Sequence, residues 1–170
     1  MKADRIIQAG IFAMLFAFVG VLYLSLHDNV VNAGDKAPDF SIQADNGKTI
    51  TAHDFGGKLL ILNFWATWCQ PCVHEVPSLN QLASVLGPKG LVVLGVSEDK
   101  DAQAYKAFLD RFHVSYLTAR APEQDIKNKY GTVLIPESYI IDQSGKVVEK
   151  IISDTDWSSQ QMVQHVQSLL

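Results

Sequence analysis

Leu59 to Phe64 and Leu91 to Val96 are nearly unbroken apolar runs, the pattern of strands buried on both faces. Between them, from Cys69 to Leu86, apolar residues recur at Val73, Val76, Leu79, Leu82, Val85 and Leu86, which is helical spacing. Strand, helix and strand in that order predict a parallel pair. Pro77 inside the helix removes a hydrogen bond to the Val73 carbonyl and predicts a bend there. Upstream, Asp39 to Gln43 and Lys48 to Ile50 flank Asp45-Asn46-Gly47, a β-hairpin with turn chemistry at its tip, followed by a short turn from His53 to Phe55. Downstream, Asp101 to Phe112 reads as a helix, Val114 to Leu117 as a short strand, and Gln124 to Tyr130 as a further helix. Ser138 to Ile141 and Val147 to Ile152 form a second hairpin about Gln143-Ser144-Gly145, and Trp157, Val163, Val166 and Leu170 mark an amphipathic closing helix. The fold class is α/β, with a central mixed sheet flanked by helices.

The N-terminus breaks this pattern. Ile6 to Leu26 is about 21 residues with only Gln8 and Ser25 clearly polar, against the ~20 needed to span a bilayer. Lys2 and Arg5 precede it and His27, Asp28 and Asn29 follow it, so the positive-inside rule keeps Met1 in the cytoplasm and sends the rest to the periplasm or its equivalent. Residues 1–33 are then a membrane anchor with its linker, and residues 34–170 one globular domain. The competing reading is a cleaved signal peptide, with Val31-Asn32-Ala33 before Gly34 as the processing site. Its apolar core would usually be shorter, about 7–15 residues.

The chain has 170 residues, 48% hydrophobic and 19% charged, with a formal charge of −4 that argues against a nucleic-acid partner. It has two cysteines, Cys69 and Cys72, in Phe-Trp-Ala-Thr-Trp-Cys-Gln-Pro-Cys at the junction of a strand and a helix. Free N–H groups and the partial positive charge of a helix start stabilise a thiolate on Cys69, the nucleophile. Cys72, almost one turn later, can reach a mixed disulfide on Cys69 and resolve it. Pro71 fits the first turn, where no N–H is needed. Half of a zinc site would need further ligands, and the five histidines are scattered singly. A structural disulfide closing so short a loop would remove little unfolded-chain entropy. Two inert core thiols would leave the helix-opening cysteine unexplained. No metal is expected, and no cofactor beyond the disulfide itself. Exported dithiols face an oxidising compartment, where the pair serves exchange.

Glu75 interrupts the apolar stripe from Val73 to Leu79 and lies beside Cys72 by the i, i+3 rule. Burial would raise its pKa and let it take the Cys72 proton as a general base. His74 is about opposite Cys72 around the helix, a surface position. Trp65 and Trp68 bracket the site, and at least one should wall the dithiol against water.

Several landmarks in order resemble the thioredoxin fold, and within it the membrane-anchored TlpA-like family that includes ResA-type and CcmG-type cytochrome c maturation reductases. They are Ala37-Pro38-Asp39-Phe40, Asn63 to Cys72, Glu75 with Pro77, Ile135-Pro136-Glu137, and the additional helix and strand from Asp101 to Leu117. The resemblance covers Gly34 to about Leu170. It implies that Pro136 is cis and packs on the cysteine pair, with Ile135 presenting its backbone to an extended substrate. The other reading of Pro136 is a trans proline opening a strand. Asn63 stands where ordinary thioredoxins have Asp, consistent with a helix Glu matching Glu75. Glu137 replaces the usual Thr and follows the CcmG-like Pro-Glu pattern; it forms either an acidic rim that disfavours the Cys69 thiolate or a solvated loop charge. Gln70-Pro71 lacks the histidine of strong oxidants, which implies a reductant. The resemblance further implies apocytochrome c as substrate and a membrane donor of the CcdA or DsbD type. The alternatives are a peroxiredoxin-like peroxidase, whose Thr three residues before the cysteine is Ala66 here, and a Sco-like copper chaperone, whose cysteines would be three residues apart rather than two and whose distal histidine is absent from the Gln143-Ser144-Gly145 hairpin.

Overall fold

The computed structural model describes residues 2–26, 30–123 and 125–170, with the side chains of residues 2–7, 9 and 23–26 outside that description. Helix α1 spans Lys2–Leu26. Strands β1 (Ser41–Gln43) and β2 (Thr49–Thr51) form the first hairpin, and a 3-10 turn covers Ala52–Phe55. There follow β3 (Leu59–Trp65), α2 (Gln70–Leu86), β4 (Leu91–Ser97), α3 (Ala102–Arg111), β5 (Leu117–Arg120), α4 (Asp125–Tyr130), β6 (Glu137–Ile141), β7 (Val147–Ile152) and α5 (Gln160–Ser168). Five strands make one sheet in the order β5-β4-β3-β6-β7. β3 pairs parallel with β4, as the strand-helix-strand reading requires, and antiparallel with β6.

β3 is central, so every residue in it is buried and its alternation decides which chemistry each face receives. Leu60, Leu62 and Phe64 point into a core shared with the hairpin, Tyr130 and Tyr139. Leu59 and Ile61 point to the opposite face, where Leu79, Leu82 and Leu86 of α2 and Val166 of α5 close over them. The same parity places Asn63 and Trp65 on the α2 face, beneath the start of that helix.

Two expectations need adjustment. The strand expected at Val114 to Leu117 lies three residues later, at Leu117–Arg120, pairing with Leu94 to Ser97. The earlier backbone is satisfied by a side chain: Ser115 N–H donates to Asn80 Oδ1 at 2.8 Å, and Asn80 Nδ2 donates to the His113 carbonyl at 3.1 Å. Trp157 precedes the closing helix, whose stripe is shorter than expected. Gln124, the expected first residue of α4, lies outside the described residues.

α1 is one continuous helix of 25 residues, and apolar side chains including Phe12, Met14, Phe16 and Phe18 are exposed on it. Among the described residues no helix is long and apolar enough to cross a membrane. His27, Asp28, Asn29 and the side chains of Lys2 and Arg5, on which the orientation expectation rests, lie outside the described residues.

Gly95 of β4 faces the α2 side opposite Asn63, where a Cβ would stand 2.9 Å from Trp65 Nε1 and 3.0 Å from Tyr116 Cε2. Both rings are buried, so neither yields cheaply. Gly95→Ala should therefore cost about 1–3 kcal/mol by overpacking, read as a fall of several degrees in the thermal midpoint. It should also disturb Trp65 fluorescence, and an unmoved midpoint would show that the space is not closed.

Candidate active site

Cys69 is the N-cap of α2, with extended backbone at φ −88° and ψ 101°, and Pro71 sits in the first turn. The turn leading into it is closed by the Cys69 N–H donating to the Ala66 carbonyl at 3.2 Å. Asp99 fastens the same turn from the end of β4, its carboxylate accepting Thr67 N–H at 2.9 Å and Thr67 Oγ1–H at 2.6 Å. Cys69 and Cys72 form a disulfide, their Cα atoms 5.2 Å apart. The Cys72 N–H donates to Cys69 Sγ at 3.3 Å, so an otherwise unpaired helix-start donor points at the first sulfur. That amide and the helix dipole favour a thiolate on Cys69. Cys69 is 7% exposed and Cys72 2%, which makes the first sulfur the reachable one.

Trp65 shares one buried cluster with both cysteines and Val76, its ring centre 5.9 Å from that of Tyr105 and 5.2 Å from that of Phe108, so it forms the inner wall. Trp68 is 65% exposed and stands at the mouth, while Gln70 and Pro71 are exposed on the rim. The peptide bond between Ile135 and Pro136 is cis, and the Ile135 carbonyl oxygen lies 3.6 Å from Cys69 Sγ. The loop before it exposes Val133 and Leu134.

Glu75 is 2% exposed on the inner face of α2, on the turn after Cys72. Its Oε1 accepts the Thr155 N–H at 2.9 Å and Trp157 Nε1–H at 3.0 Å, and Asn63 Nδ2 donates to Oε2 at 3.3 Å. Asn63 is held in turn by donating to Ser138 Oγ at 2.9 Å. Burial pushes the Glu75 carboxyl up to about 7; the hydrogen bonds from Trp157, Thr155 and Asn63 oppose that rise, and the nearby Asp154 charge adds to it. A carboxyl poised near neutrality beside a buried thiol can exchange protons with it at physiological pH. His74 is exposed, 4.0 Å from Asp154, as its place on the helix surface requires.

Glu137 corrects both readings made of it. It is neither an acidic rim nor a solvated loop charge: it opens β6, 3% exposed, and its carboxylate faces inward. Oε1 accepts Thr132 Oγ1–H at 2.7 Å and the Tyr139 hydroxyl, and pairs with Lys150 Nζ at 3.1 Å. Lys150 is opposite Tyr139 in the β6–β7 register, hence diagonal to Glu137, a relation the hairpin pattern could have exposed. Sequence reasoning also missed Thr155 and Trp157 as partners of Glu75, and nothing local signals that a tryptophan far along the chain donates to it. Among the described residues, no group of three or more His, Cys, Asp or Glu side chains is placed to hold a metal ion.

Comparison with known proteins agrees with this geometry. Residues 33–150 match the model of the AhpC/TSA family. The thiol-disulfide oxidoreductase ResA of Bacillus thuringiensis subsp. konkukian is 32% identical over 89% of this chain and 90% of its own. ResA of Geobacillus thermodenitrificans is 30% identical over 99% of this chain and 98% of its own. Among solved structures, a putative thiol:disulfide interchange protein DsbE from Chlorobium tepidum superposes with a TM-score of 0.75 at 28% identity, covering 82% of this chain and 98% of that one. With a disulfide at a helix start beside a cis proline, on a thioredoxin-like sheet, the chain belongs to the AhpC/TSA family and is a thiol-disulfide oxidoreductase of the ResA and DsbE type.

Proposed function

We propose that this oxidoreductase works as a reductant on disulfides of exported proteins, apocytochrome c among them, from a position tethered to the outer face of the cytoplasmic membrane. The observation that carries the reductive half-reaction is the buried Glu75, poised near neutrality one helical turn from the buried Cys72. In the reduced protein the Cys69 thiolate attacks one sulfur of the substrate disulfide, forming a mixed disulfide and releasing the other sulfur as a thiolate. Cys72 then passes its proton to the Glu75 carboxylate and attacks Cys69 Sγ. The Cys69–Cys72 disulfide forms, the second substrate sulfur departs as a thiolate that the protonated Glu75 or solvent can protonate, and two electrons have moved to the substrate. Trp65 keeps water from the buried side of this exchange, while Trp68, Ile135 and Pro136 line the place where an extended peptide lies, with Gln70 and Pro71 on its rim. A membrane dithiol donor of the CcdA or DsbD type returns the two electrons.

Tethering is supported by α1. In sequence Ile6 to Leu26 is about 21 residues with few polar members, close to the ~20 that a bilayer requires, and the described apolar side chains of α1, among them Phe12, Met14, Phe16 and Phe18, are exposed. On this reading residues 1–33 anchor and link, and residues 34–170 carry the chemistry.

One experiment tests both parts. Membranes carrying the full chain, washed with carbonate and primed with dithiothreitol, should reduce a cysteine-bridged peptide stoichiometrically and give no comparable turnover with hydrogen peroxide. Activity recovered only as a soluble species beginning at Gly34 would replace the anchor with a cleaved leader. Peroxide turnover exceeding disulfide reduction would replace the reductase with a peroxidase.

A further inference from the structure

The loop that brings Ile135 to Cys69 leaves α4 at Tyr130 and ends where β6 begins at Glu137. Its tip, Val133 and Leu134, is exposed, so the tip itself packs on little. What holds the loop is at its base. Thr132 Oγ1 donates to Glu137 Oε1 at 2.7 Å, joining the residue where the loop departs to the residue where it returns. The same oxygen accepts the Tyr139 hydroxyl, whose oxygen is 2.9 Å from Thr132 Oγ1, and faces Lys150 Nζ of β7 at 3.1 Å. The ammonium also stands 5.2 Å from the centre of the Tyr139 ring. Thr132, Glu137 and Tyr139 are all buried. On the far side, Ser153 N–H donates to the Pro136 carbonyl at 3.1 Å, tying the cis-proline segment to the chain that follows β7.

A buried carboxylate and ammonium are an expensive way to secure a strand end, because each loses its hydration and apolar residues of similar volume often serve stability better. Such a pair does supply direction: a charged acceptor shared by three donors fixes their mutual positions more tightly than neutral bonds would. The three donors here come from the loop, from β6 and from β7.

We propose that Glu137 is a positioning residue. Held from β7 by Lys150, it fastens Thr132 and thereby fixes the loop whose Ile135 carbonyl lies 3.6 Å from Cys69 Sγ, setting how firmly a substrate strand is held across the disulfide. The inference rests on the reading above that an extended substrate lies along Ile135. It differs from a role in tuning the thiolate, because the carboxylate is buried among Thr132, Tyr139 and Lys150 and acts through Thr132.

Thr132→Val tests this while leaving the Glu137–Lys150 pair and the Tyr139 hydroxyl in place. KM for a peptide disulfide should rise about five- to tenfold with kcat changed less than twofold. Thermolysin cleavage before Val133, Leu134 or Ile135 should accelerate about tenfold, the equivalent of one lost hydrogen bond to a charged group. Thr132→Ser, which keeps the hydroxyl, should restore both. Glu137→Gln should move both readouts further in the same direction, and the double variant Glu137→Gln/Lys150→Met should recover part of the loss. The proposal is overturned if Val and Ser variants behave alike, if cleavage is unmoved, or if kcat falls while KM holds. A wild-type protein that reduces no peptide disulfide would instead sink the substrate reading, and the cleavage rates would still judge the fastening.

Discussion

Replacing Cys72 with Ala should stop turnover and leave the substrate on Cys69 as a stable mixed disulfide, visible as a band that vanishes on reduction. Cys69 reaches the substrate first because its sulfur is the more exposed of the two and receives the Cys72 N–H at the helix start. Once the mixed disulfide has formed, only a second thiol can complete the exchange, and Cys72 is that thiol at 5.2 Å between Cα atoms. Well-oriented intramolecular attack corresponds to effective concentrations of about 10⁵ M or more, so millimolar external thiol cannot replace it and turnover should fall by at least about a hundredfold. Cys69→Ala should lose both turnover and capture. Capture by Cys72 in the Cys69→Ala variant would reverse the roles of the two sulfurs. Mass spectrometry of the trapped band would also identify the partner, which tests whether apocytochrome c is the substrate.

The parts of this protein that are legible in its sequence are those set by short-range pattern. The runs at Leu59 and Leu91 and the stripe from Val73 to Leu86 place β3, α2 and β4, because period and length depend on neighbours a few residues away. The dithiol at the helix start follows from the same junction. What escaped is decided by partners distant in the chain. Ser115 looks like strand until Asn80 takes its N–H. Glu137 looks like a loop charge until Thr132 and Lys150 enclose it. Glu75 reads as buried from its apolar neighbours, yet the donors that hold its carboxylate, Thr155 and Trp157, come from the segment after β7. Asn63 is the intermediate case: strand parity puts it on the α2 face, and the missing thioredoxin aspartate marks it, but its bond to Glu75 requires the helix to be in place.

Glu75→Gln should slow resolution of the mixed disulfide by about a hundredfold, the lower end of what a positioned base contributes. In the wild type that step should quicken as pH rises through about 7, where burial has placed the Glu75 carboxyl, because only the ionised form can take the Cys72 proton. Stopped-flow reduction of a peptide disulfide at a series of pH values reads both the loss of rate and the loss of that inflection. Stability supplies an independent mark with a definite sign. A carboxyl raised from 4.5 to about 7 on folding keeps a proton that the unfolded chain has released, so its contribution is fully present below 4.5 and is lost as pH rises through about 7. The span corresponds to a loss on the order of 3 kcal/mol. The glutamine variant cannot titrate, so its unfolding midpoint in urea should not share that decline and should exceed the wild type's at pH 8 but not at pH 4. Its oxygen can still accept from Thr155 N–H and Trp157 Nε1, while its amide meets the Asn63 amide unless Asn63 turns over, a small cost that is the same at every pH. Parallel stability curves for the two proteins, or equal rates of resolution, would leave Glu75 as a packing residue and return the base to solvent.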